Sequence, residues 1–254
     1  TATPRDSNGT FFPWVICDYP LAQAVEDRIV KAPLVVHQTD RQDPEKYKNA
    51  AVAYGEWISI ALMRWREHTK SFKPIGQKPV LFIMAEDTTD AEDIARAVRL
   101  ETDIKDDEVL VIHTDKKGEI TKADLDKARG AARSIDDPKS KIKVVVSVLM
   151  LREGWDVRNV TIILGLRPFS SKASILPEQA VGRGLRLMRN MHSDYAQVVE
   201  IIGTPKFEDF VRQLEVEGVG VGVTKNQPPP GVHVSTVKQR VEFDLEIPRV
   251  SQTY

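Results

Sequence analysis

Val144-Val145-Val146-Ser147-Val148, then Leu151-Arg152-Glu153-Gly154-Trp155-Asp156, then Val160-Thr161-Ile162-Ile163-Leu164, and last Gln179-Ala180-Val181-Gly182-Arg183-Gly184-Leu185-Arg186: this succession within residues 143–189 decides the fold. A continuous β-branched run suits a strand buried on both faces, as in a parallel sheet covered by helices, although a short apolar run alone also fits a buried helix. The turn after it selects the strand. Gly154 permits a backbone conformation or close approach that a side chain forbids, and Asp156 can accept a hydrogen bond or cap the turn. Ligands of open α/β sheets bind outside the carboxyl ends of the strands, where residues 147–156 are expected to lie.

Pro177 suits the first turn of a helix, so a helix is expected over residues 176–188. On it Gln179, Gly182, Arg183 and Arg186 fall three and four apart and share one face, and Gly182 and Gly184 let another surface approach closely. Two permanently charged guanidinium forks on one side suit an anion, most simply a phosphate. Arginine is common on surfaces, but each glycine inside a helix costs about 1 kcal/mol relative to alanine and calls for a reason.

Gln-x-x-Gly-Arg-x-x-Arg over residues 179–186 resembles motif VI of superfamily 2 helicases and translocases, and Arg152-Glu153-Gly154-Trp155-Asp156 resembles their motif V. Their order, separation and intervening strand agree with the second RecA-like domain of such motors. Asp18-Tyr19-Pro20-Leu21, Ala24-Val25-Glu26-Asp27, Ile29-Val30-Lys31, residues 148–156 and Ile202-Gly203-Thr204-Pro205-Lys206-Phe207-Glu208 further resemble the helicase (Res) subunit of type III restriction enzymes. That likeness extends over most of the chain. The resemblance implies an α/β, RecA-like parallel sheet with helices on both faces over residues 44–217. A connector over residues 1–43 would precede it, and a Gly/Pro linker with a β extension over residues 218–254 would follow.

The same resemblance implies the C-terminal motor half of a DNA-dependent ATPase or translocase. Arg183 and Arg186 would stabilise charge on the γ-phosphoryl group, and Gln179 would position the attacking water or an arginine. Gly154, Gly182 and Asp156 would lie near the nucleotide, with Asp156 at the ribose hydroxyl; Ser147, His113 and Thr114 would contact nucleic-acid phosphates. ATP and Mg2+ would be held mainly by another, N-terminal RecA-like domain, and the further partners implied are DNA and a methylation subunit that supplies sequence specificity. Thr1-Ala2-Thr3-Pro4 resembles motif III, the end of that first domain. Neither Gly-x-x-x-x-Gly-Lys-Ser/Thr nor an acidic box after an apolar strand occurs in the sequence, so this chain alone is not expected to hydrolyse ATP. The residues also fit the motor half of an RNA helicase or of an excision-repair translocase, which Leu151-Arg152-Glu153-Gly154 resembles, or a non-catalytic nucleic-acid-binding or docking module on the same frame.

Composition sets outer bounds. A chain of 254 residues with 41% hydrophobic and 29% charged residues can bury a substantial core. A formal charge of -1 gives no global case for nucleic acid, so such a site has to be a local cluster. The single cysteine, Cys17, makes no internal disulfide and fits a reducing, cytoplasmic compartment. His37, His68, His113, His192 and His233 lack ligand spacing, so no metal site is expected, and no stretch suits a membrane span or signal peptide.

The remaining elements follow from periodicity. Residues 11–18 suit a strand, and Leu21, Ala24, Val25 and Ile29 suit one or two helical turns. Tyr47, Ala51, Tyr54, Ile58, Ala61, Leu62 and Trp65 recur at helical spacing, predicting one amphipathic helix over residues 44–68 whose aromatics serve the core. Residues 80–84 and 109–112 suit strands, with a helix opened between them by a Thr89/Glu92 capping box and packed through Ile94, Val98 and Leu100. Glu86, Asp87 and Asp90 are read as solvated or capping carboxylates. A helix is expected over residues 121–133, the last strand of the sheet over residues 197–202, and a helix after Thr204-Pro205. Gly218, Gly220, Gly222 and Pro228-Pro229-Pro230 suit a linker, and the alternation after it suits strands in which no Glu-x-Lys nuclease signature appears.

Overall fold

Each strand foreseen between residues 80 and 203 pairs in parallel, and two strands from outside that span complete the same sheet. The computed structural model describes residues 19, 21–37, 44, 47–112, 130, 134–148, 157–166, 182–189, 191, 197–208 and 222–225. In chain order these form α1 (Leu21–Glu26), β1 (Ala32–His37), α2 (Ala50–Ala53), α3 (Gly55–Phe72), β2 (Val80–Met84), α4 (Thr88–Arg99), β3 (Val109–Ile112), β4 (Val144–Ser147), β5 (Val160–Gly165), β6 (Val198–Gly203) and β7 (Gly222–Lys225). The sheet order is β3-β4-β2-β5-β6-β1-β7, and every pairing is parallel. The chain therefore has the expected α/β class. All four residues of β4 are buried; they pair with Leu81 to Met84 on one side and Val109 to Ile112 on the other.

The pleat divides the apolar strands between two cores. Val80, Phe82 and Met84 join Val145, Ile163, Val199 and Ile201 on one face, whereas Leu81 and Ile83 join Val144, Val146, Ile162, Leu164 and Ile202 on the other. α2, α3 and α4 cover the second face through Tyr54, Trp57, Leu62, Trp65, Ile94 and Val98. Ile135, Leu185 and Phe207 cover the first. Two covered faces explain why the strands read as unbroken apolar runs. The aromatics of α3 serve the core as expected, and the Trp65 indole donates to the carbonyl of Pro79 at 3.1 Å. Phe207 lies over Gly165 and Gly203, where the carboxyl ends of β5 and β6 meet; a Cβ at Gly165 would fall 2.5 Å from the ring's Cγ.

Several boundaries differ from expectation, each for a local reason. The single helix over residues 44–68 is two helices, because Asn49 caps α2 by accepting the Val52 N–H and Gly55 weakens the continuation past Tyr54. α3 then runs on to Phe72. Asp87, not Thr89, caps α4, accepting the Asp90 N–H at 2.9 Å, and Leu100 is exposed at the helix end instead of packing inward. The sheet also takes in residues assigned to the flanking segments. β1 lies in the expected connector, yet it sits between β6 and β7. Pro33 argues against an inner strand, but the β7 pairing begins only at Leu34, past the proline. β7 lies in the expected linker, so residues 197–202 are not the last strand of the sheet. Residues 11–18, most of the helix expected over 121–133, and residues 226–254 lie outside the described residues.

One buried charge cluster ties α3 to the sheet. Glu200 on β6 is 3% exposed; it accepts from Arg64 Nε at 2.7 Å, from the second Arg64 nitrogen, and from His68 Nε2 at 2.9 Å. Burial pushes this carboxyl up, but the hydrogen bonds from His68 and Arg64 outweigh it and hold the group below its ordinary 4.5. A carboxyl depressed by folding contributes stability that is fully present above its unfolded value and is lost as pH falls through the folded one. Glu200→Gln is therefore expected to cost about 2–4 kcal/mol near neutral pH. In urea titrations the difference from wild type should shrink as pH falls below 4.5. A constant difference down to acid pH would contradict this account.

Candidate functional site

Parallel strands put all their carboxyl ends on one edge of the sheet and all their amino ends on the other. Ser147 closes β4 at the carboxyl edge as expected, beside Met84 and Ile112, and its carbonyl accepts the Ala85 N–H at 2.9 Å. Its side chain is 1% exposed. His113, Thr114, Gly154, Asp156 and Gln179 lie outside the described residues.

The arginines belong to the other edge. Residues 182–184 are helical, Leu185 turns, and Arg186 forms an isolated antiparallel bridge with Val30. The helix expected to reach residue 188 thus ends at 184, and Arg186 leaves the face it was expected to share with Gln179, Gly182 and Arg183. Tertiary hydrogen bonds take over where the helical ladder would continue. The Lys31 N–H donates to the Leu185 carbonyl at 2.6 Å, Lys31 Nζ reaches the Gly184 carbonyl at 3.3 Å, and Met188 N–H donates to the Gln197 side chain at 2.7 Å. Arg183 and Arg186 remain joined by a tight turn, with the Arg186 N–H on the Arg183 carbonyl at 3.4 Å. Gly184 packs against the sheet, where a Cβ would meet Ile163 Cδ1 at 2.5 Å; around Gly182 the same position is open. Of the two glycines expected to let another surface approach, Gly184 has such a contact among the described residues, and it is with this chain's own sheet.

Lys31 connects this turn to a second segment. The side chain is fully buried, and its ammonium also donates to the carbonyls of Arg158, at 2.6 Å, and Val160. Burial pushes Lys31 down to about 7, with the Asp136 carboxylate opposing. Asp136 meanwhile accepts the N–H groups of Arg158, at 2.9 Å, and Asn159, at 3.0 Å, which fixes the entry into β5. The third wall is the exit from α1. Arg28 adopts φ of 55°, an uncommon conformation for a residue with a side chain, and the turn leads into Ile29, which is 56% exposed, and Val30.

These three segments enclose an open cavity of about 370 Å³ lined by Ile29, Val30, Arg158, Arg186 and Leu187. Two arginines among five lining residues suit an anion. Sequence reading found Arg186 through its motif but missed Arg158, because a lone arginine before a strand carries no periodic signal. It also missed the burial of Lys31, since a lysine preceding a strand ordinarily reaches solvent. Among the described residues no group of three or more His, Cys, Asp or Glu is placed to hold a metal ion, and no helix is long and apolar enough to cross a membrane.

No protein-family model matches the chain, and no curated protein does. Solved structures similar to it include domain 2 of the DEAD-box helicase Mss116p bound to an RNA duplex, at 17% identity and a TM-score of 0.45, covering 79% of this chain and 65% of that one. This chain thus spans less than two thirds of the length of that one. The C-terminal domain of the DEAD-box protein Dbp5 is similar at 11% identity and a TM-score of 0.42, covering 78% of this chain and 89% of the other. A variant of the S. cerevisiae Dbp5 C-terminal domain, bound to a Gle1 variant and IP6, is similar at 12% identity and a TM-score of 0.43, covering 77% and 89%.

The Lys31 clamp yields a local prediction. Lys31→Met removes the donor to three carbonyls, each worth roughly 1–3 kcal/mol if left unsatisfied, but also relieves a buried charge costing several kcal/mol. The two effects oppose one another. Global stability is therefore expected to change by less than about 2 kcal/mol, whereas amide exchange at Leu185 and Arg186 should accelerate about tenfold or more. Exchange rates equal to wild type at both amides would show that the clamp does not hold the turn.

Proposed function

We propose that this chain is the C-terminal motor half of a superfamily 2, DNA-dependent ATPase or translocase, and that its arginines serve a nucleotide held mainly by a P-loop domain. The observation that carries the reading is that Arg186, the last residue of a Gln-x-x-Gly-Arg-x-x-Arg run, lines an open cavity shared with a second arginine. The donor set fits a polyphosphate, since planar, permanently charged forks match phosphate oxygens. ATP would supply the phosphoryl group to be transferred. Arg183 and Arg186 would neutralise charge building on that group, Gln179 would orient the attacking water or an arginine, and Gly154, Gly182 and Asp156 would line the nucleotide's other contacts. Mg2+ would be held by the P-loop domain.

Within this class the segments Asp18 to Leu21, Ala24 to Asp27, Ile29 to Lys31, Val148 to Asp156 and Ile202 to Glu208 favour the helicase subunit of a type III restriction enzyme. A methylation subunit would then be the partner that supplies sequence specificity, and duplex DNA the track. The test is ATP turnover by the full-length protein, with and without duplex DNA. Arg183→Ala is expected to lower the DNA-stimulated rate by roughly 10³-fold or more while nucleotide binding is largely kept. An unchanged rate would remove Arg183 from the chemistry. Stimulation by RNA in place of DNA would keep the motor reading and overturn the restriction-enzyme one.

A further inference from the structure

We infer that Lys31 is a proton-operated latch: the protonated side chain ties the turn that carries Arg183 and Arg186 to the entry of β5, and loss of one proton loosens the turn while the β5 entry stays held. This goes beyond the motor reading and is tested without it. Lys31 is 0% exposed, and its Nζ donates to the carbonyls of Arg158 at 2.6 Å, of Val160, and of Gly184 at 3.3 Å. An ammonium has three donors and no acceptor, so three carbonyls satisfy it completely. A neutral amine has two N–H bonds and a lone pair, so one of the three carbonyls would then face that lone pair with no hydrogen between them. The longest contact is the one given up. That contact is Gly184, on the turn, and its loss leaves the turn with its backbone contacts, the Lys31 N–H on the Leu185 carbonyl and the Val30 bridge to Arg186. The β5 entry keeps the two remaining donors, and Asp136 holds it independently through the N–H groups of Arg158 and Asn159.

The site of the amine brings its proton within reach of ordinary pH. Burial pushes Lys31 from 10.5 down to about 7, and the Asp136 carboxylate, on the segment before β4, opposes that effect. The other charged residues on the segments joined here are Arg28 at the exit from α1, Arg158 before β5, and Arg183 and Arg186 in the turn. Asp27, beside Arg28, accepts from Tyr19 and Gln23, and Lys78, on which Asp136 also acts, donates to the Ser140 carbonyl. Deprotonation breaks one N–H bond of Lys31, leaves its electron pair on Nζ and passes the proton to water. Two consequences of opposite sign follow. The local order of the turn falls as pH rises through about 7. Global stability rises, because between about 7 and 10.5 the unfolded chain keeps a proton that the folded chain has given up.

The test follows the full chain, with isotope-labelled lysine, by NMR from about pH 6 to about pH 9, the range around this midpoint. The Lys31 amine should titrate near 7. Amide protection factors at Lys31 and Arg186 are expected to fall about tenfold across the same midpoint, while those at Arg158 and Asn159 stay constant. In Lys31→Met the turn amides should be weakly protected at every pH, without a step, and the urea midpoint of the wild type should rise relative to this variant as pH climbs above 7. The wild-type titration and exchange decide the matter even where the variant folds poorly. A Lys31 amine still protonated at about pH 9 overturns the latch, as do turn amides whose protection is unchanged across its midpoint. A step that persists in Lys31→Met would assign the effect to another group, and an equal loss at Arg158 and Asn159 would show the clamp opening as a whole; either result also overturns the inference.

Discussion

One ammonium group joins three segments that the chain keeps far apart. Lys31 lies just before β1, Arg158 and Val160 at the entry to β5, and Gly184 at the end of a helix that leads toward β6; all three carbonyls converge on Lys31 Nζ. Burying a lysine without a carboxylate in direct contact is costly, and burial lowers the affinity of this one for its proton. The three acceptors match the three donors of an ammonium, so the protonated form is the one that this geometry satisfies. Loops at the amino edge of a parallel sheet would otherwise be tethered only through their own strands. Here they are joined to one another, and the cavity between them inherits that rigidity.

The sheet supplies the frame on which the clamp acts. Because every strand is parallel and both faces are covered, the backbone of each inner strand is paired on two sides and the side-chain rows of β2, β4, β5 and β6 enter one or other of two cores. The ion cluster of Glu200, Arg64 and His68 adds orientation on the α3 face, where apolar packing alone would permit sliding. On the opposite face, the glycines under Phe207 let an aromatic ring approach the ends of β5 and β6 more closely than any side chain would allow. Both devices act at a distance from the arginine cavity.

The structure places two groups of candidate residues at opposite edges of the sheet. Ser147 lies at the carboxyl edge and is buried, whereas Arg183 and Arg186 belong to a turn held at the amino edge. A helix rising between successive parallel strands must return from the first edge to the second, so the end of such a helix is carried to the amino edge by topology. Residues adjacent in a motif list need not be adjacent in space. Arg158 and Arg186 show the converse, being well separated in sequence and brought to one cavity.

Much of the frame was legible in the amino-acid sequence. The bounds of β2 and β3 agree with expectation, and β4 and β5 do so to within one or two residues, because a strand buried on both faces must be apolar at every position and shows this without any partner in view. The core role of Tyr54, Leu62 and Trp65 was legible for a similar reason of periodicity. Tertiary contacts decided the rest. Pro33 and the Gly-Val alternation around Gly222 signal non-strand locally, and only pairing with β6 and β1 makes strands of them. Helical propensity past Gly184 gives way to hydrogen bonds with Lys31 and to a bridge with Val30, and so Arg186 leaves its helix face. Arg158 and Lys31 carry no sequence signal of a site. Proximity across more than a hundred residues is a property of topology, and an isolated charged residue does not reveal which loop will fold against it.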